Sequence, residues 1–173
     1  NLASQLSLLA RKVGVWVAEQ CSDGQRDFVD LEKLKVAFEE SPEDELEEAI
    51  AELEADGFVE ISRTLGGDLP DFCPTLDLYL TFDGPAFGRD PIADTVTVAE
   101  LALSGPDSVE AEKVFAQTGW DIRRFNPAFE HLASQIPDGR VSRSSGTQFT
   151  VRFFHLLPED RVRVKRLVSR LTS

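Results

Sequence analysis

Between Ser41 and Ile61 the chain reads SPEDELEEAIAELEADGFVEI, and no other stretch constrains the fold as tightly. Leu46, Ala49, Ile50 and Leu53 recur at three- and four-residue steps, which puts them on one face of an α-helix. Ser41 stands where a cap belongs, Pro42 at the first helical position and Asp44 at the acidic place of a capping box, so the helix is expected to begin there. Gly57 can take the left-handed backbone that ends a helix, and FVEISRTL then reads as a strand. A chain built this way must bury one stripe of the helix and hand its end directly to a hairpin.

The flanking segments fit that requirement. Leu2, Leu6, Leu9, Val13, Trp16 and Val17 predict an amphipathic helix from Leu2 to about Gln20. CSDGQRD reads as a turn and Phe28-Val29 as a short strand contact, while Asp30 caps a helix through Leu31, Leu34, Val36 and Phe38. After the first strand, GGD signals a turn and the alternating LDLYLTF reads as the returning strand. DGPAFGRDP, Asp83 to Pro91, holds two prolines and two glycines and is the expected linker.

The same grammar then repeats. Ile92, Val96, Ala99 and Leu103 predict a helix from Pro91 to Leu103, and Asp107 with Glu110 reads as the start of another running to about Gln117. Asn126 and Pro127 read as cap and first residue of a third helix, with Phe129 and Leu132 inward. RVSR, SSG and TQFTVRFF read as strand, turn and strand, with Phe149, Val151 and Phe153 on one face. Val164, Leu167, Val168 and Leu171 predict a closing helix from Glu159 to Leu171.

AIAELEADGFVEI is similar to the end of the third helix and the first wing strand of winged-helix (winged helix-turn-helix) regulators, and LYLTFDGP looks like the second wing strand. This resemblance covers roughly Leu6 to Pro85, and GWDIRRFNPAFEHL resembles the third-helix region again. It implies an α+β, mainly α fold of two tandem winged-helix domains, each a three-helix core with a β-hairpin wing. The expected division is 1–88 for an acidic domain and 89–173 for a neutral-to-basic one with a C-terminal helix.

Charge is distributed unevenly along the chain. Residues 1–94 carry 7 Lys and Arg against 22 Asp and Glu, whereas residues 95–173 carry 11 against 9. From Glu39 to Asp56 there are ten acidic residues and no basic one. Phosphate binding depends on basic side chains that release counterions, so the first domain is not expected to read DNA. Its exposed carboxylates, Glu47, Glu48 and Glu52 among them, suit a basic protein surface or simply a solvated face. In the second domain Arg123 and Arg124 lie at the third helix and Arg140 and Arg143 at the hairpin, where they suit nucleic acid or an acidic partner equally.

Motifs for chemistry are missing from the sequence. It has no G-x-S-x-G elbow, P-loop or G-x-G-x-x-G. Its two histidines, His131 and His155, lack neighbours at zinc spacing and read as structural or surface residues. Cys21 and Cys73 are too few for a disulfide framework and read as free thiols. We therefore expect no enzyme, no catalytic residue, no cofactor and no metal. No apolar run approaches the roughly 18 residues of a membrane span, and the first residues lack the order of a signal peptide, so no membrane partner and a cytoplasmic location are expected. The chain starts at Asn1 and holds no methionine, which leaves two readings: a trimmed piece of a longer protein, or one whose modified methionines have been dropped.

Two functions remain from different classes. One is a non-enzymatic module for protein–protein interaction within a regulator or larger complex. The other is a DNA-binding transcriptional regulator that uses the second domain, with the first for dimerisation or partner binding. A protein partner is expected in the first, nucleic acid through the second domain only in the other, and a homo-oligomer is compatible with both.

Overall fold

The structure, a computed structural model, describes residues 3, 5–63, 69–143 and 146–173. It is mainly helical α+β and divides into two compact units, residues 1–21 with 26–89, and residues 22–25 with 90–173.

The first unit runs α1 (Leu8–Gln20), α2 (Leu31–Ala37), α3 (Glu43–Ala55), β1 (Val59–Ser62), β2 (Asp71–Pro74) and α4 (Leu76–Phe87). Ser7 caps α1 by accepting from Ala10 N at 3.1 Å, so the helix starts six residues later than the leucine spacing from Leu2 predicted. Leu2 itself lies outside the described residues. Asp30 caps α2 as expected, accepting from Lys33 N at 3.2 Å, and Val29 N donates to Phe72 O at 2.9 Å as the expected strand contact. The helix α3 buries Leu46, Ala49, Ile50 and Leu53, and Gly57 takes φ +79° beyond its end. It starts one residue later than expected, with Pro42 rather than Ser41 at the cap position and no side-chain capping bond.

The returning strand is not LDLYLTF. DFCP forms β2, antiparallel to β1 with Ile61 opposite Phe72, and LDLYLTF begins α4. Leu76, Leu78, Leu80 and Phe82 do alternate, but the buried residues are Leu78, Tyr79, Phe82 and Asp83, a helical pattern that includes the overlooked tyrosine. The expected turn GGD lies outside the described residues. Nor is Asp83 to Pro91 a linker, since α4 continues to Phe87, Gly88 ends it at φ +66° and Asp90 already caps the next helix. Tyr79, Phe58, Phe72 and Phe82 are the largest buried side chains of this core, with Phe58 and Phe82 edge to face at 5.3 Å.

The second unit runs α5 (Pro91–Ser104), β3 (Ser108–Glu110), α6 (Ala111–Thr118), α7 (Ile122–Ala133), β4 (Val141–Ser142), β5 (Phe153–His155) and α8 (Pro158–Leu171). Its sheet has the order β3-β5-β4, antiparallel throughout. Asp107 and Glu110 do not open a helix, because Ser108–Glu110 pairs with β5 and buries Val109, so α6 starts at Ala111. α7 starts at Ile122 under Asp121, whose carboxylate accepts from Arg124 N at 2.8 Å, and Asn126 and Pro127 lie inside it. Phe149 and Val151 point inward as expected, but the phase then shifts and Phe154 is fully buried rather than Phe153. Phe125 and Phe129 stack at 5.0 Å, and Phe154 lies 5.3 Å from Phe129.

Candidate interaction surfaces

Once the apolar face of α3 is buried, Glu43, Asp44, Glu45, Glu47 and Glu48 remain exposed. Three of them crowd the first turn, where the helix dipole favours negative charge. Among the described residues, two carboxylates on the helix have cationic partners: Glu43 lies 3.7 Å from Lys35 and Glu54 3.1 Å from Arg63. Glu52 is not a free surface group either. Its Oε2 accepts from Ser7 N at 2.9 Å, so it holds the first turn of α1. Glu47 and Glu48 are left as the open part of the predicted acidic surface.

The four arginines singled out in the second unit do not assemble into one surface. Arg123 is buried on α7, 6% exposed. Arg124 Nε and Nη2 donate to Asp94 Oδ2 and Oδ1 at 2.9 and 2.7 Å, and its guanidinium lies 4.2 Å from the Trp120 ring centre. That hydrogen bond to Asp94 raises the arginine pKa, with burial acting the other way. Arg140 Nη2 donates to both oxygens of the fully buried Asp160, at 2.6 and 2.7 Å. Arg143 Nη1 donates to buried Glu130 at 3.2 Å. Each of these three neutralises a carboxylate that the core has taken out of water. Breaking such a pair by removing one partner typically costs about 3–5 kcal/mol.

Asp160 also accepts from Leu157 N at 3.0 Å at the start of α8, which binds that helix end to the hairpin arginine. Arg161 reaches back from α8 to Asp107 at 2.7 Å and to the Leu103 carbonyl at the end of α5 at 3.0 Å. Lys113, Arg143, Arg152 and Arg163 are nevertheless exposed, and the outer face of α8 adds Lys165, Arg166 and Arg170. The signal for these last three was in the sequence. They interleave with the inward stripe of Val164 and Leu167, so periodicity alone turns them outward.

An open trough of about 760 Å³ lies beside β3 and β5, with Glu110, Glu112, Arg152, Phe153 and His155 on its walls. Glu112 is exposed and Glu110 is bridged to Lys113 at 2.9 Å, so the two are not the buried and solvated pair that acid–base work uses. His131 Nδ1 lies 3.1 Å from Thr95 Oγ1, a structural contact between α7 and α5. Neither cysteine is in a disulfide: Tyr79 Oη donates to Cys21 Sγ at 2.9 Å, and burial followed by the Glu60 charge pushes the Cys73 thiol up, away from the reactive thiolate. Among the described residues no helix is long and apolar enough to cross a membrane.

Compared with known proteins, the chain matches no family model, no curated protein and no solved structure.

Proposed function

We propose that this chain is a non-enzymatic tandem winged-helix module that mediates protein–protein contacts within a regulator or larger complex. Supporting the fold reading, each unit sets three helices before an antiparallel hairpin, and the hairpin is followed by a fourth helix. In the second unit a strand between the first two helices pairs with the returning hairpin strand, and in the first the Val29–Phe72 hydrogen bond occupies the same place. The carrying observation for function concerns the two third helices. One, α3, presents Glu47 and Glu48 with no basic residue on the helix. The other, α7, has Arg124 committed to Asp94 and Arg123 buried, while Arg143 and Arg140 near the hairpin are held by Glu130 and Asp160. In this reading Glu47 and Glu48 meet a basic protein surface, and no residue has a catalytic, cofactor or metal role.

The alternative, a DNA-binding regulator acting through the second unit, draws on the exposed Arg152 of the hairpin and on Lys165, Arg166 and Arg170 of α8. Titration of duplex DNA and of a lysine-rich peptide at rising salt separates the two readings. We expect the peptide to bind at low salt and to lose affinity in E47Q/E48Q, with no DNA binding. DNA binding that falls steeply with salt, and whose salt slope drops by about one unit for each α8 cation replaced by alanine, would overturn the protein-contact reading.

A further inference from the structure

The outer face of α1 belongs to neither of the surfaces above. Leu8, Arg11, Lys12, Val15, Trp16 and Glu19 are spaced i, i+3, i+4, i+7, i+8 and i+11, on one side of the helix, and with Phe38 they line one open groove of about 430 Å³. The helix buries its opposite side through Ala10, Val13 and Val17. Leu8 is 62% exposed, and a second groove of about 420 Å³, sharing Trp16, reaches Val36, which is 72% exposed. Trp16 stands between them with its ring edge-on to Phe38 at 6.2 Å. Scattered apolar residues on a surface need no explanation, but contiguous ones in adjoining grooves mark a contact surface.

The order of charges along the face identifies what covers it. Arg11 and Lys12 lie toward the amino end, Val15 and Trp16 in the middle and Glu19 toward the carboxyl end. All three charged side chains are exposed and lack an ion-pair partner among the described residues. Arg11 and Glu19 are equally far from Val15 in sequence. Reversing the helix about Val15 therefore places each where the other was.

We propose that this face is self-complementary, and that two copies of the chain pair through antiparallel α1 helices about a two-fold axis near Val15. Arg11 and Lys12 of each copy meet Glu19 of the other, and the Val15 and Trp16 side chains close over the axis. An isologous contact requires this arrangement, the same patch on both copies with residue i meeting j and j meeting i. A partner of one charge sign fits less well, because an acidic helix would meet Glu19 and a basic one Arg11 and Lys12. The contact uses neither α3 nor α8, so it stands apart from the partner reading above.

Sedimentation equilibrium of the whole chain tests the proposal at about 100 µM, enough to populate a dimer whose Kd is about 10 µM. The expected mass is twice 19.2 kDa. R11E/K12E and E19K, each checked for retained helix by circular dichroism, are expected to be monomeric alone. Both place the new charge where the α1 dipole favours it, so folding is not threatened. An equimolar mixture of the two variants is expected to restore the doubled mass. A monomeric wild type overturns the proposal, as does a dimer indifferent to both charge reversals, or a mixture that stays monomeric.

Discussion

Gly14 shows how one missing side chain can position two helices. A Cβ built on it would lie 2.7 Å from Phe82 Cζ, and Phe82 is itself buried against Phe58. In an exposed helix Gly→Ala stabilises by roughly 1 kcal/mol. Here the sign should reverse, because the methyl group forces an already packed ring aside, and overpacking typically costs about 1–3 kcal/mol. Gly14→Ala is expected to lower the urea midpoint, and Gly14→Ala/Phe82→Leu to recover part of the loss; an unchanged or higher midpoint for the single variant would show that Phe82 can move. Nothing near Gly14 in sequence announces this, since Phe82 comes from α4. The arginines were misjudged for the same reason. Arg124 finds Asp94 thirty positions away, and Arg140 finds Asp160 twenty positions away, so each looked like a surface cation when read alone.

At the scale of elements, local periodicity carried the sequence reading as far as it could. The buried stripe of α3 and the glycine that ends it depend only on residues within the helix, and both were legible. α4 was not, because apolar alternation competed with a helical pattern that only the hairpin could resolve. Once DFCP supplied the return strand, LDLYLTF was left free to coil. Asn126-Pro127 misled in another way, as a pair whose types suit a helix start but which here lies within α7. Glu52 shows one helix completing another. Its carboxylate takes up the Ser7 N–H at the start of α1 from a distance of 45 residues. Glu52→Ala is therefore expected to destabilise the chain by about 0.5–2 kcal/mol, as loss of a helix cap does, whereas E47Q/E48Q should stay within about 0.5 kcal/mol of wild type. Urea unfolding reads both, and faster amide exchange in the first turn of α1 should accompany only the first. Equal stability of all the variants would mean that the Ser7 bond contributes nothing.

On the scale of the whole molecule, the second unit is not one continuous piece of chain. Ser22–Gln25 belongs with it, while the residues on either side of that turn belong to the first. The buried Asn126 amide donates to Asp23 O at 2.6 Å and to Gln148 O at 2.8 Å, and accepts from Thr150 N at 3.3 Å. Gly24 sits beside it at φ +74°, where a Cβ would come within 3.0 Å of Pro127. No composition or spacing marks four residues of an early turn as part of a later unit, so the sequence alone placed the division only near Asp83–Pro91. A piece spanning 90–173 leaves the Asn126 amide short of one acceptor, and a buried donor left unmade costs about 1–3 kcal/mol. Such a piece is expected to unfold at lower urea than the same unit within the full chain, and Asn126→Ala in the full chain should reproduce at least that loss. A piece as stable as the intact unit would show the turn to be dispensable. During synthesis domains tend to fold in order from the amino terminus. Here the opening residues of the second unit leave the ribosome before most of the first exists, so that turn must wait for partners made long after it.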